Sequence, residues 1–92
     1  MVTAIVLVNV EHGKVNQVSE TLADLAGVSE VYSVGGRYDL VAIIRVKDNE
    51  AVADLVNGSM AGLNGIRATE TLVAFKAYGR REVEAGFSLG GP

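Results

Sequence analysis

The distribution of apolar and polar residues along the chain predicts four strands. Apolar residues run almost without interruption through positions 3–10 and again through 40–46, which is typical of strands with apolar side chains on both faces. Positions 29–34 predict a shorter strand ahead of a pair of glycines, and positions 66–78 alternate apolar and polar residues more regularly. We therefore expect four strands, the last of which is the longest.

In two segments between the strands, apolar residues recur with the period of an amphipathic helix. The first covers positions 14–26 and has one apolar stripe, formed by Val15, Val18, Leu22 and Leu25. The second begins after Asp48 or Asn49, either of which is a suitable N-cap residue. Its stripe is formed by Val52, Leu55, Val56, Met60 and Leu63. Gly58 and Gly62 weaken the second half of this helix, because glycine has a low helix propensity.

The order strand-helix-strand-strand-helix-strand predicts the α+β class and a ferredoxin-like βαββαβ sandwich. The short gap around the glycine pair requires an antiparallel hairpin between the second and third strands. Two right-handed crossovers then place both helices on one face of a four-stranded antiparallel sheet. With 92 residues the chain has room for one domain, which we assign to residues 1–79. Residues 80–92 are predicted to form a C-terminal arm or a short extra strand.

The second face of the predicted sheet is apolar as well. The first strand offers Leu7 or Val6 there, and the third strand offers Ile43 or Ile44. Soluble monomers rarely expose a continuous apolar patch of several hundred Å², and burying it at roughly 25 cal/mol per Å² favours association. We therefore expect a homodimer that packs sheet against sheet, of the dimeric α+β barrel type. The alternative is that the segment after residue 81 folds over this face.

Composition and charge narrow the range of functions. The chain has no Cys and one His, which excludes a disulfide framework, thiol chemistry and a multi-His or Cys-ligated metal site within one chain. His12 falls in a predicted turn, where we interpret it as a surface residue rather than a catalytic base. The net charge of −3 disfavours direct contact with nucleic acid or an anionic membrane surface. No metal or cofactor is predicted, and the lack of a visible signal peptide or membrane span predicts a cytoplasmic protein.

The segment Gly35-Gly36-Arg37-Tyr38-Asp39 is the main candidate for binding chemistry. One interpretation is structural: glycine supplies a positive φ in a hairpin, the tyrosine packs and the aspartate caps. The other is a ligand loop, in which backbone N–H groups take a carboxylate and Asp39 pairs with an ammonium group. A loop that offers both is suited to an α-amino acid. Thr69 and Thr71 are the second candidates, since their hydroxyls either belong to ordinary strand chemistry or form hydrogen bonds with a ligand.

Two segments of the chain resemble the effector-binding domain of the Lrp/AsnC family of transcription regulators, often called the RAM domain. Positions 34–41, VGGRYDLV, resemble the family's G-x-Y/F-D segment before the third strand. Positions 65–71, GIRATET, resemble its G-V-x-x-T-x-T entry into the last strand. Both stand at the matching places in the strand order, and the resemblance spans roughly residues 2–78.

The resemblance implies a binding site and an assembly. Domains of this family dimerise through their sheets, and the dimers assemble further, often into octamer-like rings that bind amino acids between dimers. Carried over to this chain, the ligand-binding site consists of Val34, Gly35, Gly36, Arg37, Tyr38 and Asp39, joined by Thr69 and Thr71. Gly35, Gly36 and Tyr38 then offer backbone contacts, and Asp39 faces the amine.

The family's regulators carry an N-terminal helix-turn-helix domain, whereas the first strand here is predicted from residue 3. We therefore expect a stand-alone effector-binding module that is not an enzyme, with an amino acid and a full-length Lrp/AsnC regulator as its partners. Two alternatives remain open. One is a structural assembly module that binds no small molecule. The other is a small dimeric α+β-barrel enzyme of the monooxygenase or isomerase type, which usually needs polar or His side chains inside its cleft.

Overall fold

The structure is a computed structural model that describes residues 1–79. Its elements, in chain order, are β1 (Val2–Val10), α1 (Val15–Ala23), β2 (Val28–Ser33), β3 (Leu40–Val46), α2 (Asn49–Asp54), a π-helical segment (Leu55–Met60) and β4 (Ile66–Val73). The bounds of β3 are those predicted from the sequence. Within the described range, no helix has the length and apolar composition that a membrane span requires. The arm or strand predicted for residues 80–92 lies outside the described residues.

The four strands form one antiparallel sheet in the order β2-β3-β1-β4. β1 is a central strand, which pairs with β3 over residues 2–8 and with β4 over residues 4–10. Each strand-helix-strand unit therefore skips one place in the sheet, since β3 lies between β1 and β2, and β1 lies between β3 and β4. This is the split βαβ arrangement, and the predicted ferredoxin-like α+β fold is confirmed.

Burial alternates along the two central strands because the helices cover one face of the sheet. The fully buried strand residues are Ala4, Val6, Val8, Leu40, Ala42 and Ile44. They pack against buried residues of the helical segments, namely Val18, Leu22, Val52, Leu55 and Met60. The other predicted stripe residues, Val15, Leu25, Val56 and Leu63, are partly buried against the same core. Of the alternatives that the sequence left open, Leu7 and Ile43 therefore lie on the face turned away from the helices.

The second helix differs from the prediction in its second half. Asp48 is its N-cap residue, as its position predicted. After α2 the turn widens to π-helical hydrogen bonding, and the Ala61 N–H donates to the Val56 carbonyl at 3.1 Å. The wider turn brings Leu55 and Met60 onto the same buried side although they are five positions apart.

β4 is shorter than predicted. The alternating pattern predicted a strand through residue 78, but the strand ends at Val73. Its neighbour in the sheet is β1, and the Ala74 N–H still donates to the Thr3 carbonyl at 2.9 Å. Continuing the register would place Phe75 opposite Val2, the first residue of β1, so residues 76–78 lie past the end of the strand with which they would pair. Phe75 is fully exposed.

Candidate functional site

Residues 34–39 form the loop between β2 and β3, and hydrogen bonds hold its base. The Val34 N–H donates to the Asp39 carbonyl at 3.0 Å, which closes the loop. The Asp39 N–H donates to the Val8 carbonyl at 2.9 Å, and Asp39 Oδ2 accepts from the Val10 N–H at 2.9 Å. Asp39 therefore ties the loop to the end of β1 through both its main chain and its side chain.

The tip of this loop is open to solvent. Gly35, Gly36 and Arg37 are all exposed. A Cβ placed on either glycine would meet no heavy atom within 4 Å, so the space beside the backbone is free. Gly36 has a φ of +123°, a conformation that favours glycine over residues with a side chain. The loop thus combines a fixed base with a tip that another molecule can approach closely.

Tyr38 connects the loop to β4. Its hydroxyl donates a hydrogen bond to Glu70 Oε1, across 32 positions of sequence. This bond is the main cause that raises the pKa of Tyr38 above its ordinary value of 10.0, and partial desolvation and the charge of Glu70 add to it. The positive charge of Arg37 acts in the opposite direction on the same pKa.

Thr69 and Thr71, the second pair of predicted site residues, lie on the other face of β4. Their partners in the register are buried, helix-facing residues of β1. Glu70, between them, pairs with Leu7, which faces away from the helices. The structure therefore brings Tyr38 to Glu70 rather than to either hydroxyl. Glu70 is not among the site residues that the sequence predicted. The signal that could have found it is strand alternation, because a residue between two threonines on one face of a strand must point to the other face.

The sheet face turned away from the helices is apolar in its middle and polar at its β2 edge. We call it the open sheet face, and its apolar residues are Ile5, Leu7, Val41, Ile43 and Leu72. At the edge, the Tyr32 hydroxyl donates to Glu30 Oε2 at 2.9 Å, and this bond raises the pKa of Tyr32. Arg45 Nη1 lies 3.8 Å from Glu30 Oε1. The Arg45 Nε is buried and has no hydrogen-bond partner among residues 1–79.

Two further features lie away from the loop. His12 is exposed in the turn between β1 and α1, the position that the sequence predicted. A shallow groove is lined by Gly27 and Val46, among others, at the opposite end of β3, and its charged residues are Lys47 and Asp54. Within the part of the chain that the structure describes, no three His, Asp or Glu side chains come together as a metal site.

A ferredoxin-like sheet that carries a fixed loop with an open tip and an uncovered apolar face defines a small α+β binding domain. The chain matches the family model described as the Lrp/AsnC ligand binding domain over residues 3–83. The chain belongs to this family. Both sequence segments that resemble the family, 34–41 and 65–71, fall inside the matched range.

Three known proteins show the extent of the similarity. The HTH-type transcriptional regulator FL11 of Pyrococcus horikoshii is 35% identical over 77 residues, which are 82% of this chain and 49% of that protein. The chain therefore spans about half the length of the curated relatives that it matches. The crystal structure of TTHA0845 from Thermus thermophilus has a TM-score of 0.83 at 48% identity, and the match covers 87% of this chain and 100% of that chain. The transcriptional regulator NMB0573 from Neisseria meningitidis, in complex with L-Met, has a TM-score of 0.77 over 86% of this chain and 53% of that one; at 12% identity it shares the fold alone.

Proposed function

We propose that the chain is a regulatory module of the Lrp/AsnC type that binds an amino acid or a related small effector, forms oligomers and performs no catalysis. The observation that carries the proposal is the loop at residues 34–39, fixed at its base by Asp39 and open at its tip. Such a loop holds its binding groups in position before a ligand arrives, which lowers the entropy cost of binding. Membership of a ligand-binding family supports the same function.

The chemistry of the loop fits a zwitterion. Backbone N–H groups at Gly35 and Gly36 and the guanidinium of Arg37 suit a carboxylate. Two carboxylates are next to Tyr38, Asp39 in the chain and Glu70 through its hydrogen bond, and either one suits an ammonium group. An α-amino acid carries both charges on adjacent atoms. The L-Met complex of NMB0573 supports amino acids as the class to test first.

We propose that a second copy of the chain covers the open sheet face. Its apolar residues are only partly shielded within one chain, and Leu72 is 45% exposed. Covering this face removes apolar surface from water, which favours association.

Higher assembly, including an octamer-like ring, and co-assembly with a full-length Lrp/AsnC regulator belong to the same proposal. A net charge of −3 makes direct binding to nucleic acid unfavourable, so we propose that a partner regulator contacts DNA. The relatives named as HTH-type transcriptional regulators support a link to DNA through such a regulator. Thr69 and Thr71 stay in the proposed site as residues of the edge strand β4, where Thr69 is exposed.

A thermal-shift screen of the purified protein against the twenty amino acids at millimolar concentration tests the ligand part of the proposal. A ligand at 100 times its Kd adds about 2.7 kcal/mol per site, which raises the Tm of a domain of this size by several degrees. We expect a selective rise for one amino acid or for a chemically related group. A flat profile contradicts amino-acid binding and favours an assembly module that binds no small molecule.

A further inference from the structure

We infer that Glu70, rather than Asp39, takes the ammonium group of the effector, and that Asp39 is a positioning residue for the loop. This assignment rests on the proposed function and adds a specificity-determining residue to the same site. Its basis is the contrast between two carboxylates that flank one tyrosine. Asp39 follows Tyr38 in sequence, whereas Glu70 reaches Tyr38 from β4.

Asp39 is already bound to the fold. Its Oδ2 accepts from the Val10 N–H at 2.9 Å, while its own N–H donates to the Val8 carbonyl at 2.9 Å. Both contacts hold it partly buried at the end of β1. Oδ1 of Asp39 also has acceptor capacity, but the residue is partly buried, and turning its carboxylate toward a ligand would leave the Val10 N–H without its acceptor, which costs more than the hydrogen bond itself contributes. The main contribution of Asp39 is therefore the position of the loop.

Glu70 has the opposite surroundings. It is exposed, and its hydrogen bond to Tyr38 uses Oε1. A carboxylate offers about four acceptor sites on its two oxygens, so Oε2 can accept from a second donor. The pairing of β4 with β1 fixes the backbone of Glu70, and the phenol of Tyr38 fixes its side chain. The Tyr38 hydroxyl oxygen also keeps an acceptor lone pair, so the two residues together can hold an ammonium group.

Groups of opposite charge flank Tyr38 and suit the two ends of a zwitterion. Glu70 accepts from the phenol of Tyr38, whereas Gly35, Gly36 and Arg37 precede Tyr38 in the loop. A ligand whose ammonium group meets Glu70 can direct its carboxylate toward Arg37 and the two glycines. A ligand without the ammonium group cannot form an ion pair with the Glu70 carboxylate, so we expect it to bind more weakly.

Two matched variants separate the roles of the two carboxylates. Glu70→Gln removes the negative charge and keeps an oxygen that accepts from the Tyr38 hydroxyl. Asp39→Asn removes the same charge and keeps an oxygen that accepts from the Val10 N–H. Calorimetric titration measures the Kd of the wild type and of each variant for the twenty L-amino acids. For every amino acid that binds, the corresponding 2-hydroxy acid is titrated too, because it replaces the ammonium group by a hydroxyl and keeps the rest. Far-UV circular dichroism and Tm check that each variant is folded.

We expect Glu70→Gln to lose about ten- to a hundred-fold in affinity for the amino acid, the range for a hydrogen bond to a charged group, and to lose its preference over the hydroxy acid. Asp39→Asn should keep that preference, like the wild type. Loss of the preference in Asp39→Asn alone, or an equal loss in both variants, overturns the assignment and leaves the proposed function intact. If the wild type binds none of the amino acids, the proposed function fails and the assignment fails with it.

Discussion

At the residue scale, the loop beside β1 depends on a few individual hydrogen bonds. The sequence indicated two roles for Asp39, a hairpin cap or a ligand contact, and the structure shows a side-chain bond to the Val10 N–H of β1, outside the hairpin itself. The contact between Tyr38 and Glu70 could not be read from the sequence. It depends on which residue of β4 stands opposite Leu7, and that register is set by strands far apart in the chain.

Replacing Asp39 by alanine should destabilise the protein in the absence of any ligand. Asp39→Ala leaves the Val10 N–H unpaired at a partly buried position, which costs about 1–3 kcal/mol and lowers the Tm by several degrees in a domain of this size. Differential scanning calorimetry at one fixed protein concentration measures the change. Asp39→Asn keeps an acceptor oxygen and serves as the control, with a Tm close to that of the wild type. An alanine variant as stable as the asparagine variant would show that the Val10 bond does not hold the loop.

At the scale of elements, a strand boundary was predicted correctly where apolar residues give way to charged ones. β3 begins after Asp39 and ends before Lys47, and the sequence predicted both ends. The prediction made β4 too long because alternation of side chains shows only that a segment is compatible with a strand. The backbone of a strand also needs a neighbouring strand with which to form hydrogen bonds. The π-helical segment was not predicted either, since Gly58 and Gly62 signal a weakened α-helix and do not specify a wider turn.

Replacing Gly27 and replacing Gly58 by alanine should change the free energy of unfolding in opposite directions. Gly27 has a φ of +95°, and a Cβ there would lie 2.9 Å from Val46 Cγ1 and 3.2 Å from Leu55 Cδ2. We expect Gly27→Ala to cost about 1–3 kcal/mol through backbone strain and crowding.

Gly58 is the matched position, because a Cβ there would meet nothing within 4 Å and its φ is not positive. Gly58→Ala should stabilise the protein by about 0.5–1 kcal/mol, since alanine loses less backbone entropy in a helix. Urea denaturation midpoints of the two variants, at one protein concentration, give the signs. A Gly27→Ala variant at least as stable as Gly58→Ala would contradict the geometry at Gly27.

At the scale of the whole molecule, the sheet has one face covered by helices and one face without a covering element among residues 1–79. The sequence predicted this division, because the two central strands are apolar on both faces. The sequence did not determine whether Leu7 or Val6 faces away from the helices, because a shift of one residue exchanges the two faces of a strand. The same choice was open in β3 between Ile43 and Ile44. The burial of Val6 and Ile44 settles the assignment in favour of Leu7 and Ile43.

A charge at the centre of the open sheet face should therefore prevent association. Ile43→Glu places a carboxylate where the proposed dimer excludes water, and an unpaired buried charge is strongly unfavourable. Light scattering coupled to size exclusion should show the variant near the chain mass of 9.6 kDa, and the wild type at a multiple of it. Ala53→Glu, on the exposed side of α2, makes the same charge change and should leave the wild-type mass unaltered. A wild type that elutes as a monomer, or an Ile43→Glu variant that keeps the wild-type mass, would argue against a second copy on this face.

The π-helical segment has a consequence for how chain lengths are compared among relatives. Removing one residue between Leu55 and Met60 would place the methionine four positions after the leucine, which is α-helical spacing on the same buried side. The wide turn can thus absorb the deletion of one residue while β4 and the loop at residues 34–39 stay where they are. A one-residue gap at this place in an alignment therefore marks a change of helix type, and it carries no information about which effector is bound.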